Sequence, residues 1–299
     1  MKINRHSIYL VLLTVFALSW QACEKLIDPS ELPTFVQKIV VNVVSSNIEG
    51  SKMEVSLTAS PYDSTDYPTI VDDAIIQFKV NGIEQNFTYN PSSELYENPN
   101  TFDPGDQLQL TVSLQNKSTV SAAVVMPPDM SNLSSKLVLN GGTDGQGHTA
   151  DLIQLSFDDD PNSPNYYLLH FYYYSELANL FLPFEMTTTD AILNSPQTIK
   201  TNAGGYLFAD ETFNGRNRSF SVVAPAGIVE SNTDIRYLVE IHSLSRDYYV
   251  YMKTLQDFRD SQDNTGGATT LGTAVVVHSN ISGGLGIFGT KTVASDTLR

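Results

Sequence analysis

From residue 35 onward apolar and polar side chains alternate with a period of two, which confines the chain to sheets that bury one face of each strand. In Val55, Leu57 and Ala59, and again in Ile76, Phe78 and Val80, the apolar residues fall on one side. Asn81-Gly82 separates Ala74–Val80 from Ile83–Tyr89. Both central residues of a type I′ turn need positive φ, so this pair predicts a tight hairpin. Leu108, Leu110, Val112 and Leu114 form a further strand, and Asn116-Lys117 leads into Val120, Ala122, Val124 and Met126. About seven short strands over ~95 residues predict an immunoglobulin-like sandwich, spanning residues 35–130. The boundary is placed at Met126-Pro127-Pro128, because prolines cannot donate to a ladder.

The rest of the chain, residues 131–299, is also strand-rich, with Asp151–Phe157, Asn165–Ser175, Tyr206–Ala209, Ser219–Val223, Arg236–Leu244 and Ala274–Ser279 reading as strands. One helix is expected near residues 246–260. Ser245 is suited to cap it, and Tyr248, Tyr251, Met252, Leu255 and Phe258 recur at helical spacing. Gly266-Gly267 closes that segment, and Leu177 to Lys200 reads as a long connection. The predicted class is therefore all-β: an immunoglobulin-like sandwich followed by a larger C-terminal β-sandwich or barrel-like domain with one short helix.

The first 22 residues differ in composition. Lys2, Arg5 and His6 precede an apolar run from Ile8 to Trp20, with no acid before Cys23. The run is shorter than the ~20 apolar residues of a spanning helix, so it reads as a cleaved leader. Cys23 is the only cysteine and stands directly after Ala22. A lipoprotein signal explains this placement: the small Ala22 permits cleavage, and the Cys23 thiol takes a diacylglycerol that anchors the chain to a bilayer. The alternative is an ordinary secretory leader cut near Ala22. A tether, residues 23–34, follows, with Pro29 and Pro33 opposing helix. Removing residues 1–22 takes away Lys2 and Arg5 and no acid, so the formal charge moves from −16 to −18. Such a surface repels a phosphate backbone and excludes nucleic acid as a partner.

No HExxH, CxxC, GxSxG or Gly-rich phosphate loop occurs, so no enzyme of the common classes and no cofactor is expected. Period-two alternation puts Glu240 and His242 on one face of their strand. Solvated strand residues are the leading account of these side chains; should His170 face them, a small polar ligand site results, with an atypical hydrolase as a further reading. Asp158, Asp159 and Asp160 precede a turn-forming stretch that suits either calcium or local backbone capping. The strand Tyr166 to Tyr174 is aromatic on both faces. Tyr172 and Tyr174 on one of them are candidates for a ligand-stacking platform, with packing against a neighbouring layer as the alternative. In Val277 to Gly289, four glycines in seven residues predict a bulged strand or tight turn where two layers meet.

Cys23-Glu24-Lys25, Val125-Met126-Pro127-Pro128, Asn165-Tyr166-Tyr167, Asp210-Glu211-Thr212-Phe213-Asn214-Gly215, Tyr248-Tyr249-Val250-Tyr251 and the ending Ser279-Asn280-Ile281 through Phe288-Gly289 resemble an uncharacterised family of Bacteroidota outer-membrane lipoproteins, a domain of unknown function usually encoded beside TonB-dependent receptors. The resemblance implies a lipid-anchored accessory or binding protein, facing the periplasm or the cell surface and partnering such a receptor in nutrient capture. A structural or adhesive surface protein is the alternative. The first check is direct: circular dichroism of the purified chain should be sheet-dominated, and its first residue should be Cys23. A helical spectrum, or a cytosolic chain retaining Met1, would overturn this reading.

Overall fold

The computed structural model describes residues 34–60, 68–201, 204–225, 236–263 and 275–299. The leader, Cys23 and Gly266-Gly267 lie outside the described residues. Gln37–Arg299 form one compact unit, and among the described residues there are eighteen strands and one helix.

The strands form three sheets. The largest has eleven strands. Its central path runs through β12 (Tyr166–Ser175), β17 (Tyr237–Leu244), β18 (Leu285–Leu298), β1 (Ile39–Ser46) and β2 (Gly50–Leu57). β1 and β18 pair in parallel, with Val43 beside Phe288, whereas the other pairings among the described strands are antiparallel. Over one half of this sheet lies a four-stranded sheet built on β4 (Ile75–Val80), β8 (Gln107–Ser113) and β9 (Val120–Val125). Over the other half lies a three-stranded sheet of β10 (Ser131–Thr143), β11 (Thr149–Asp158) and β16 (Asn217–Val223). The class is thus the expected all-β sandwich architecture, and no sheet closes into a barrel.

Alternation fills two cores. Val41, Val43, Met53 and Val55 meet Phe78, Leu108, Leu110 and Val112 in the first. In the second, Tyr167, Leu169, Phe171, Val239 and Ile241 meet Ile153, Leu155, Phe157 and Phe220. Core membership changes after Met126, and β18 then serves both. Phe288 is fully buried in the first core and sits 6.4 Å from the ring of Phe78, while Leu298 joins the second core. Between them, the buried hydroxyls of Thr290 and Thr292 donate to the carbonyls of Val125 (2.8 Å) and Pro128 (2.9 Å). Polar groups at this seam are therefore satisfied where the facing layer changes.

The hairpin at Asn81-Gly82 has φ of 51° and 81°, the positive pair that a type I′ turn requires. The Gly-rich stretch forms a turn in which Ser282 and Ser121 exchange backbone hydrogen bonds, followed directly by β18. Gly286 has φ of +109°, and a Cβ there would lie 2.1 Å from the Val41 carbonyl oxygen. Gly289 lies under Tyr248, so the helix rests on bare backbone there. Of the expected strand Ala274–Ser279, residues 275–279 are described and are not a strand: they run beside the helix, and the His278 amide donates to Thr254 Oγ1 (2.8 Å). The helix α1 (Arg246–Asp263) packs through Tyr248, Tyr249 and Met252 on Leu168, Leu207 and Leu244, on the outer face of the large sheet. Phe258, expected in that stripe, is 37% exposed. The Ser245 hydroxyl does not serve as a cap but accepts the Thr290 amide (3.2 Å).

Gly286→Ala should cost roughly 2–4 kcal/mol, combining a strained φ with a backbone clash. Gly82→Ala, with φ of +81° and nothing within 4 Å of the new Cβ, should cost only about 1–2 kcal/mol. Denaturant titration of the two variants checks this, and equal costs would contradict the close approach of β18 to β1.

Candidate functional site

Two places on the C-terminal half gather polar side chains. The first lies on the outer face of the large sheet. Register puts His170 of β12 directly opposite Glu240 of β17. The His170 and His242 rings are 5.5 Å apart, and His242 Nε2 is 3.3 Å from a Glu240 carboxylate oxygen. His170 Nδ1 is 2.9 Å from the Tyr172 hydroxyl, which also hydrogen-bonds Glu240. The structure therefore brings together four of the five residues singled out as a ligand site.

These contacts fix one consistent assignment. Tyr172 and His242 donate to the Glu240 carboxylate, and His170 donates from Nδ1 to the Tyr172 oxygen. The hydrogen bond from His242 holds the Glu240 carboxyl below its ordinary range against the opposing effect of burial. Burial pushes His170 down to about 4, aided by His242 and Lys291. Burial also lowers His242, although Glu240 opposes the shift. Both imidazoles are thus neutral at pH 7. Their remaining nitrogens, His170 Nε2 and His242 Nδ1, are buried without partners. Among the described residues neither of these two nitrogens meets a hydroxyl. Gly205 explains how His170 fits, since a Cβ there would lie 2.2 Å from the ring.

Tyr174, the fifth residue, stands apart in the hairpin to β13 (Leu180–Pro183). Its hydroxyl donates to Asn179 (2.5 Å), and its ring meets Phe181 edge-on. The three aspartates do not converge either. Asp158 accepts from Asn132 and Asn217, and Asp160 caps Asn162. The buried Asp159 accepts from Tyr167, the Gly215 amide (2.6 Å) and Asn165 (3.3 Å). Among the described residues no trio of His, Cys, Asp or Glu is placed to hold a metal ion. Of the two readings of these carboxylates, the contacts are those of local capping: pleating and turn geometry give each aspartate its own backbone or side-chain partner.

The second place was not legible in the sequence. A cleft of about 450 Å³ opens beside β15 (Tyr206–Ala209), between α1 and the turn at residues 191–198. Asp190 builds that turn by accepting the Ile192 and Leu193 amides (2.8 and 3.2 Å), and it also pairs with Arg218. The Arg218 guanidinium lies 4.7 Å over the Phe220 ring, and its Nε is buried without a partner. Phe208, Phe213 and Tyr249 supply apolar walls, while Glu211 and Lys253 supply charge. Tyr249 is itself stacked on Tyr166 at 4.7 Å. Behind the cleft, Asp159 accepts the Gly215 amide (2.6 Å) and Asp210 accepts the Asn165 amide (2.9 Å), which fixes the turn that carries Phe213. The available signal was Tyr249 and Lys253, four residues apart on one helix face.

Fold and cleft define a two-core β-sandwich protein with a helix-edged recess. The chain belongs to the family described as a domain of unknown function, DUF4249, whose profile matches residues 26–297. No functionally curated protein matches the chain. A crystal structure of a candidate membrane-anchored protein from Corynebacterium diphtheriae is similar at 12% identity and a TM-score of 0.19. That similarity covers 70% of this chain and 54% of that one, so the chain spans about half of that protein's length. Among the described residues no helix is long and apolar enough to cross a membrane.

The buried neutral imidazoles carry a pH signature. With His170 near 4 when folded and ~6.5 when unfolded, the unfolded chain binds more protons between those values, so stability falls as pH falls through that window, by about 3 kcal/mol. Urea unfolding at pH 7 and pH 4.5 should show a steeper loss for the parent chain than for His170→Phe. Parallel losses would contradict the placement of His170.

Proposed function

We propose that this chain is a lipid-anchored, non-enzymatic binding or accessory protein of the bacterial outer membrane, working beside a TonB-dependent transporter in nutrient capture. The observation that carries the binding part is the cleft between α1 and the 191–198 turn. Its volume of about 450 Å³ falls in the usual range of ligand pockets, and its walls mix aromatic surface with a few charged groups. A purely structural or adhesive role gives no reason for Lys253, Arg218 and Glu211 to share a recess.

The anchoring part is supported by the leader and by the lone Cys23 at its end. A diacylglycerol there would hold an acidic chain at a surface that its own charge does not favour. The partnership is supported by the resemblance to lipoproteins encoded beside TonB-dependent receptors. Against a hydrolytic role stands the cluster around Glu240, whose histidines are neutral and turn no free nitrogen toward a nucleophile.

Two measurements test the proposal. Mature tagged protein recovered from its own membranes should carry a lipid on Cys23 and co-purify with a TonB-dependent receptor. Cys23→Ala should move the protein from the membrane to the soluble fraction while leaving its sheet spectrum unchanged. Recovery without any such receptor would refute the partnership, and membrane retention of Cys23→Ala would refute the anchor.

A further inference from the structure

Resting on the reading that the cleft is the binding site, we infer that its ligand is a short peptide with both termini free. The charges on the walls select for this. Lys253 on α1 and Glu211 after β15 both line the recess, and among the described residues neither forms an ion pair. They sit on different elements and form no ion pair with each other. Arg218 is already neutralised by Asp190.

An unpaired ammonium and an unpaired carboxylate facing one cavity discriminate between ligand classes. A simple anion entering beside Lys253 meets the like charge of Glu211, and a simple cation meets that of Lys253. A neutral sugar offers hydroxyls to both groups but neutralises neither charge, so it gains less from them than a ligand of matching charges. A ligand carrying an ammonium at one end and a carboxylate at the other pairs both. The two groups come from separate elements, and about 450 Å³ lies toward the small end of ligand pockets. Two or three residues fill such a volume better than a single amino acid. Phe213 and Tyr249 then face the side chains, and the amide of Gln197 is available to the peptide link.

The test is isothermal calorimetry of the mature chain with Ala-Phe-Ala, its N-acetylated form, its C-terminal amide, and maltose. The free peptide should bind, and capping either end should weaken it about tenfold or more, as expected for loss of a charge-assisted contact. Glu211→Gln should abolish the difference between free and acetylated peptide while keeping the difference between acid and amide. Lys253→Met should do the reverse. This crossed pattern is one that mere destabilisation of the cleft does not produce, and circular dichroism of each variant confirms the fold. Equal affinity for free and capped peptides, or no peptide binding, overturns the inference. Binding of maltose instead, weakened by Lys253→Met, overturns the peptide class while leaving the cleft as a binding site.

Discussion

The structure depends on the parallel pairing of the last strand with the first. β18 is fourteen residues long, and it inserts between β1 and β17 so that one continuous sheet runs beneath both smaller sheets. Its side chains change character along its length: Phe288 for the first core, Thr290 and Thr292 for the seam, Ala294 and Leu298 for the second. Burying a side chain the size of Phe288 contributes ~1.5–3 kcal/mol. Losing β18 would additionally expose the inner edges of β1 and β17, whose backbone groups it pairs.

That same sheet sets where chemistry can occur. One face is given to the cores, so functional groups are confined to the outer face and to the loops at the sheet's end. On the outer face, α1 covers Leu168 and Leu244, and the strand residues next to it form the closed network around Glu240. In that network burial suppresses charge on the histidines, and Glu240, Tyr172 and one nitrogen of each imidazole are hydrogen-bonded to one another, while the other two nitrogens are left without partners. At the sheet's end, the Asp190 turn and the start of α1 leave a recess in which, among the described residues, Glu211 and Lys253 form no ion pair while Arg218 is paired with Asp190.

Local patterning carried much of the fold. Alternation located the strands, Asn81-Gly82 marked its hairpin, and apolar spacing marked the helix, although Tyr249 rather than Phe258 faces the sheet. The four glycines pointed to close backbone approach, and Gly286 shows it. Strand order was not legible, because period two says which face is buried and nothing about which strand lies alongside. The β1–β18 pairing joins residues about 245 positions apart, and no local signal encodes that. Of the site, alternation placed Glu240 and His242 together, and the register brought His170 to them. The cleft was not legible because its turn lies in a stretch without periodicity, and because its three charges, Glu211, Arg218 and Lys253, come from separate elements.

If one strand completes both cores, neither core can unfold while the other remains. Scanning calorimetry of the mature chain should therefore show a single transition, with calorimetric and van't Hoff enthalpies that agree. Two separable transitions, or cooperative folding of a fragment ending at residue 130 without β18, would contradict the dependence of the whole fold on that strand.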